Sequence, residues 1–244
     1  MKSDAVRSRI DKALKEHTDL LFHSLDNGNT MTVDQHQWQW LGVRTPQTRQ
    51  IANTVFKELR SHGIKDIDSI LEYCEHLLSY RISEYRTIAF QWTFKCKKQF
   101  QPEHFEIFER WLKTYVTGWG SCDDFCVHTL GYFLLQYPMF ISRVKSWTLS
   151  SNNMTRRASA VSLIYALRRG EYLPPAFEIA DNLLNDSDIY VLKGYGWMLK
   201  EATKHFPDKV FQYVLDRKNV MPRVSLRYAI EKMPEERRKK AMAK

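Results

Sequence analysis

Four prolines beat a regular time along the second half of this chain. Pro102, Pro138, Pro174 and Pro207 stand 36, 36 and 33 residues apart, and each opens an amphipathic stretch of helical period. Proline suits the first turn of a helix, where its missing N–H has no partner to lose. A period in the thirties marks stacked helix pairs, none of which can bury its apolar face alone. The pattern predicts paired helices over 102–116 and 121–136, 138–148 and 153–168, 174–185 and 189–205, and 207–217 and 222–233. Upstream, helices are expected over 4–25, 47–61, 68–79 and 84–98, with Asp26-Asn27-Gly28-Asn29 ending the first. No stretch alternates as a strand would. The expected fold is all-α, a HEAT-like helical-repeat solenoid in one domain over 1–244, with a basic, fraying tail from about residue 233.

The same rhythm sorts the unusual residues. Trp119, Asp123, Arg157 and Trp197 each fall 17 to 23 residues after one of these prolines, where the second helix of a pair should begin. Equivalent helices of successive repeats line one face. One concave wall is therefore expected to carry two indoles, a carboxylate and a guanidinium.

Charge is distributed unevenly. Of the net +9, residues 193–244 contribute +8, with 14 Lys/Arg against 6 Asp/Glu. A basic end on a near-neutral body fits a polyanion, usually nucleic acid, or simply solubility. No run of 18 apolar residues suggests a membrane span, and the opening MKSDAVRSRIDKALKEH reads as a mature helix, so a cytoplasmic protein is expected. Cys74, Cys96, Cys122 and Cys126 make no disulfide framework in a chain of this size. Cys122 and Cys126 with His128 hint at metal, but no second ligand pair follows at zinc spacing, and buried thiols are the plainer reading.

Three local patterns carry chemistry. In Gly118-Trp119-Gly120-Ser121-Cys122-Asp123-Asp124, Ser121 reads as an N-cap and the aspartates as first-turn acids favoured by the helix dipole. The indole between two glycines is expected to project from the preceding turn. In Ser150-Ser151-Asn152-Asn153-Met154-Thr155-Arg156-Arg157, two cations occupy a first turn where the dipole disfavours them. Either a salt bridge or a bound phosphate accounts for that. In Lys193-Gly194-Tyr195-Gly196-Trp197, two helical glycines each cost about 1 kcal/mol against alanine, which close packing or an approaching ligand must offset.

These pieces, W-x3-D, then RR-A, then K-G-x-G-W-x-L-x-E, together resemble the DNA alkylation repair family of HEAT-like-repeat glycosylases, the AlkD type. Trp40-Leu41-Gly42-Val43-Arg44-Thr45-Pro46, Glu84-Tyr85-Arg86 with Ala89-Phe90, and Gln136-Tyr137-Pro138 add to the likeness, which runs from about residue 35 to 233. The resemblance implies hydrolysis of the N-glycosidic bond of cationic alkylated purines, chiefly 3-methyladenine and 7-methylguanine, in duplex DNA held on the concave face without base flipping. It implies a catalytic role for Asp123, packing of Trp119 and Trp197 against the damaged nucleotide, and an Arg157 contact to a neighbouring phosphate. Arg156, Lys193 and Lys200 are expected on the DNA backbone. No metal or cofactor is implied, and a monomer is the default. The chain departs from the family at Met154, where tryptophan is common, and near Val33, where a tyrosine is usual.

An N3- or N7-alkylated purine leaves as a neutral base and needs no general acid. Positive charge develops instead on the deoxyribose, as in other glycosyl hydrolyses. A fixed carboxylate stabilises that charge and orients water, and indole faces attract it at about 0.5–2 kcal/mol each. No lysine in these motifs stands as a Schiff-base nucleophile, so hydrolysis without strand cleavage is expected. Two other functions remain in view: a non-catalytic relative that binds distorted or branched DNA, and a helical scaffold for proteins.

Overall fold

The computed structural model describes residues 2–18 and 38–243. Among them helices dominate and no strand forms; a single parallel bridge pairs Gln39 with Ile82. The architecture is an all-α helical repeat. None of the described helices is long and apolar enough to cross a membrane. The turn expected at 26–29 and the position of Val33 lie outside the described residues. The chain divides into two compact units, Met1–Ile107 and Phe108–Lys244.

The first unit contains α1 (Ser3–Lys15), α2 (Thr45–Ser61), α3 (Ile67–Ser79) and α4 (Ser83–Lys95). Their shared core includes Ile10, Leu59, Ile70, Ile88 and Trp92, all fully buried. The Trp92 indole N–H donates to the Ala52 carbonyl at 2.8 Å, so even this buried ring has its polar edge satisfied. Asp66 caps α3 by accepting the Ser69 N–H at 2.7 Å. Gly42, with φ +79°, turns the chain so that the N–H groups of Leu41 and Val43 both donate to Glu84 Oε1, at 2.9 and 3.1 Å. That contact ties the 40–46 segment to the start of α4. Burial pushes the Glu84 carboxyl above its ordinary range, with the Leu41 and Val43 bonds opposing.

The second unit takes up partway along α5 (His104–Tyr115). It continues through α6 (Trp119–Phe125), a π turn at Cys126–Leu130, and α7 (Gly131–Gln136). Then come α8 (Ile141–Ser146), α9 (Asn153–Val161), α10 (Ile164–Leu167), α11 (Leu173–Asn182), α12 (Ile189–Ala202), α13 (Pro207–Arg217), α14 (Arg223–Ile230) and α15 (Glu235–Met242). Pro207 and Pro174 occupy the first and second positions of α13 and α11, and Pro138 starts a 3-10 turn leading into α8. Pro102 lies just ahead of α5. The second members pack in order, α6 beside α9, α9 on α12 and α12 on α14, which sets them along one wall.

Two expectations change. The helix expected over 121–136 starts earlier, at Trp119, and is interrupted by the π turn, a feature frequent at functional sites. The basic tail is not frayed: α15 buries Ala241 completely, and Lys218 and Arg223 donate to the carbonyls of Ala243 and Met242, at 3.0 and 3.2 Å. Those bonds satisfy carbonyls that would otherwise be orphaned at a helix end.

Candidate nucleic-acid cleft

The start of α6 is organised by serine. Gly118 is the N-cap and Trp119 the first helical residue. Ser121 Oγ accepts from the Gly118 and Thr117 N–H groups, both at 3.3 Å, and donates to the Gly118 carbonyl at 2.9 Å. This corrects two expectations. Ser121 is the third helical residue rather than the cap, and Asp123 lies beyond the first turn, which holds no acid. The helix dipole is therefore not what keeps Asp123 ionised, because its influence falls off within that turn.

A guanidinium does that work. Arg157 Nε and Nη2 donate to the two oxygens of Asp123 at 2.9 and 2.8 Å, a bidentate pair. Its Nη1 donates to the Tyr190 carbonyl. The Arg157 side chain is 6% exposed and that of Asp123 21%. Burial pushes the Asp123 carboxyl up, and Arg157 opposes the shift without cancelling it. For Arg157, burial works against the charge, while the hydrogen bond to Asp123, that carboxylate's charge and smaller contributions together outweigh it and raise its basicity. Arg157 was expected to face a phosphate; its donors instead hold the aspartate and a carbonyl.

The first-turn position of two arginines is resolved the same way. Arg156, expected on the DNA backbone, binds Asp186 through Nε and Nη2 at 2.6 and 3.1 Å, and Nη1 donates to the Ser150 and Ser151 carbonyls at 2.9 and 3.1 Å. The cation is thus absorbed by an internal carboxylate and two loop carbonyls. The Asn152 side chain caps α9 by accepting the Thr155 N–H at 3.0 Å.

Helix α12 begins under an Asp188 cap, which accepts the N–H groups of Tyr190 and Val191 at 2.8 and 3.2 Å. Both glycines of its motif have packing reasons. A Cβ on Gly194 would come 3.1 Å from Arg157 Cγ, and one on Gly196 would come 2.8 Å from the Ser225 carbonyl and Tyr228 Cβ of α14. One glycine makes room for the arginine and the other for the neighbouring helix. Around Gly118 and Gly120, by contrast, the space is open.

These elements enclose an open cavity of about 510 Å³ lined by Trp119, Asp123, Arg157, Lys193, Trp197 and Lys200, together with Tyr190 and Tyr228. Six of the seven residues singled out from sequence are therefore together, and Arg156 is not among them. Trp119 is 42% exposed and Trp197 half-buried, so neither indole is sealed in the core. Lys200 pairs with Glu231 at 3.1 Å. The two tyrosines were missed. Tyr228 follows Pro207 by 21 residues, the same interval that separates Asp123 from Pro102, so the rhythm already pointed to it. Met154 is buried, and its carbonyl accepts from the Cys122 thiol at 3.6 Å. All four cysteines are free and buried, and no cluster of metal-ligating residues occurs among the described residues. Burial drives the Cys126 thiol well up, which leaves it un-ionised and unreactive.

Comparison with known proteins bears on this cleft. No similar sequence is found among curated proteins. A solved structure described as a predicted DNA alkylation repair enzyme from Enterococcus faecalis is similar in fold, with a TM-score of 0.74 over 90% of this chain and 98% of that one, at 14% identity. Residues 12–233 match the model of the DNA alkylation repair enzyme family. The chain belongs to that family, and its role lies in the repair of alkylated DNA.

Proposed function

We propose that the protein is a monofunctional DNA glycosylase that hydrolyses the N-glycosidic bond of cationic alkylated purines, 3-methyladenine and 7-methylguanine, in duplex DNA. The observation that carries this reading is the meeting of one ionisable carboxylate with two indoles, Trp119 exposed and Trp197 half-buried, in a single open cleft. The pair with Arg157 occupies one direction of each Asp123 oxygen, and the remaining lone pairs are free to serve the cleft. There the carboxylate stabilises positive charge growing at the deoxyribose C1′ and aligns water for attack. Arg157 holds the carboxylate plane and favours its anion. Trp119 and Trp197 supply apolar, electron-rich faces to the sugar.

No proton donor to the base is required, since the alkylated purine departs neutral. An open cleft also suits a substrate selected by the lability of its own bond, rather than by a pocket that reads a base edge. The empty space around Gly118 and Gly120, for which internal packing offers no reason, suits close approach of a DNA backbone beside Trp119. Lys193 and Lys200 supply sequence-independent attraction to phosphate.

The test is release of free 3-methyladenine or 7-methylguanine from methylated duplex DNA, with Asp123→Asn as control. Release by the wild type and its loss in the variant are expected; no release by the wild type, or full activity in the variant, overturns the proposal. One observation favours a non-catalytic DNA-binding protein: both Asp123 oxygens already have an internal partner. That reading expects salt-sensitive duplex binding, no base release, and an affinity indifferent to Asp123→Ala.

A further inference from the structure

Trp197 is held by more than packing. Its indole N–H donates to Glu201 Oε1 at 3.0 Å, one helical turn along α12. Glu201 is in turn anchored from two sides: Oε2 accepts from Arg168 Nε at 2.8 Å, and Lys232 Nζ stands 3.9 Å from Oε1. The Glu201 side chain is only 11% exposed, while Arg168 and Lys232 are 38% and 61% exposed. An acid nearly out of water is thus tied by one tryptophan and two cations from neighbouring stretches of chain.

We propose that Glu201 is a positioning residue for the cleft, fixing the Trp197 indole so that one face stays turned to the substrate sugar. The inference rests on the glycosylase reading above. A half-buried indole can rotate about its outer side-chain bond unless its one polar edge is pinned. The charge-assisted bond to Glu201 pins it, because rotation would break the hydrogen bond that Oε1 accepts and leave the indole N–H without its partner. The anion also polarises the indole through that N–H, making its face more attractive to positive charge. Burial pushes the Glu201 carboxyl up, but the bonds to Arg168 and Trp197 and the charges of Arg168 and Lys232 together more than offset it and favour the anion. Gly196, immediately before Trp197, lets α12 settle against α14. Backbone and side chain of this tryptophan are therefore fixed independently.

The experiment compares Glu201→Ala, Glu201→Gln and Arg168→Ala by single-turnover base release at saturating enzyme, by affinity for unmodified duplex, and by the Trp197 indole N–H resonance of tryptophan-labelled protein, assigned with Trp197→Phe. Glu201→Ala should lower the release rate by about tenfold to a hundredfold, the scale of a misplaced active-site group. Its duplex affinity should stay within about twofold, and the Trp197 resonance should move to that of a solvent-exposed indole. Glu201→Gln keeps an acceptor oxygen and should restore most of the rate and the resonance position. Arg168→Ala should give an effect of the same kind but smaller. Wild-type release by Glu201→Ala, or an unmoved resonance, overturns the proposal. So does a failure of glutamine to rescue. If the wild-type protein releases no base, the glycosylase reading fails, while the resonance still reports whether Glu201 fixes the ring.

Discussion

The two units keep to one interval with different strictness. In the second, side-chain bonds span about one repeat: Arg157–Asp123 and Arg143–Glu109 are each 34 residues apart, Arg168–Glu201 33, and Tyr213–Asp181 32. In the first, the intervals scatter: 34 for Gln99–Lys65, 36 for His104–Asp68, 40 for Trp92–Ala52, 49 for Arg9–Glu58 and 74 for Tyr85–Asp11. The proline beat explains the contrast. Where every pair has the same length, a residue meets its counterpart one period later, and polar side chains form a ladder whose rungs repeat. The cleft is made of consecutive rungs of that ladder. In the first unit only the 65–104 stretch keeps that interval, and its other polar contacts fasten particular segments instead.

Two carboxylates, one buried in the first unit and one half-buried in the second, put the contrast to its hardest test. Asp123 faces a cleft and is neutralised by a guanidinium, whereas Glu84 accepts backbone N–H groups of the 41–43 turn on Oε1 alone, its Oε2 buried without a hydrogen bond. Asp123→Asn should lower single-turnover base release by about 10²–10³-fold, as losing one electrostatic stabiliser does. Glu84→Ala should instead lower unfolding stability by about 1–3 kcal/mol, leaving two donors in search of an acceptor. Its release rate per folded molecule should stay close to the wild type. A large rate loss in Glu84→Ala at unchanged stability would erase the division of labour between the units.

Arg157→Ala is expected to be next in size, and its signature is a pH profile. Activity needs the Asp123 anion, so it falls as pH drops through the Asp123 pKa, which burial has raised. Removing the opposing cation raises that pKa further, so the acid limb of the single-turnover rate must move to higher pH. A shift toward lower pH, or none, would show that the pair does not govern ionisation. Stability should fall by up to about 3–5 kcal/mol, the range for breaking a buried ion pair.

The ladder was legible because it is periodic. Proline spacing alone put Trp119, Asp123, Arg157 and Trp197 on one wall, and a cavity does bring them together. What escaped was the partner of each charge. Arg156 and Arg157 are neighbours in sequence and equally basic, yet one turns to Asp186 and the other to Asp123. Successive helical residues point about 100° apart, so the same dipeptide serves two different neighbours. The cap was misplaced for a related reason. Serine satisfies a helix start either as the cap or from the third position, and Ser121 does the latter. Tyr228 was in reach of the rhythm, but tyrosine is common at helix interfaces and carried no motif of its own.

The glycines of α12 come next. Gly196→Ala sets a methyl 2.8 Å from the Ser225 carbonyl, so the backbone of α14 must yield. A loss of about 1–3 kcal/mol is expected from overpacking, against a gain of about 1 kcal/mol in helix propensity. Gly194→Ala crowds the Arg157 side chain, at 3.1 and 3.2 Å, and meets Val161 at an ordinary 3.6 Å, so it should cost less stability but tilt the guanidinium away from Asp123. Base release should therefore fall more than stability does in Gly194→Ala, and the reverse in Gly196→Ala. Denaturant titration alongside single-turnover kinetics separates the two; equal behaviour would mean that the glycines share one function.

The smallest effects compare a rung with a fastening. Arg156→Ala removes a bidentate contact to Asp186, whose side chain is 7% exposed, together with two bonds to loop carbonyls. A cost of about 1–3 kcal/mol is expected. Burial pushes the Asp186 carboxyl up, but Arg156 and the Asp188 N–H pull it below its ordinary range. Its contribution is therefore complete above the ordinary aspartate pKa and fades as pH falls through the lower folded value, so the penalty of Arg156→Ala should shrink under acid. Arg9→Ala breaks a pair with Glu58 of similar bidentate form, but those side chains are 38% and 34% exposed, and water replaces the lost bonds. Its cost should be about 0–1 kcal/mol and should fade further in high salt. Matched urea titrations of the two variants at low and high salt decide whether burial, rather than bond geometry, gives the rungs their strength. A penalty for Arg9→Ala as large as that for Arg156→Ala would show that it does not.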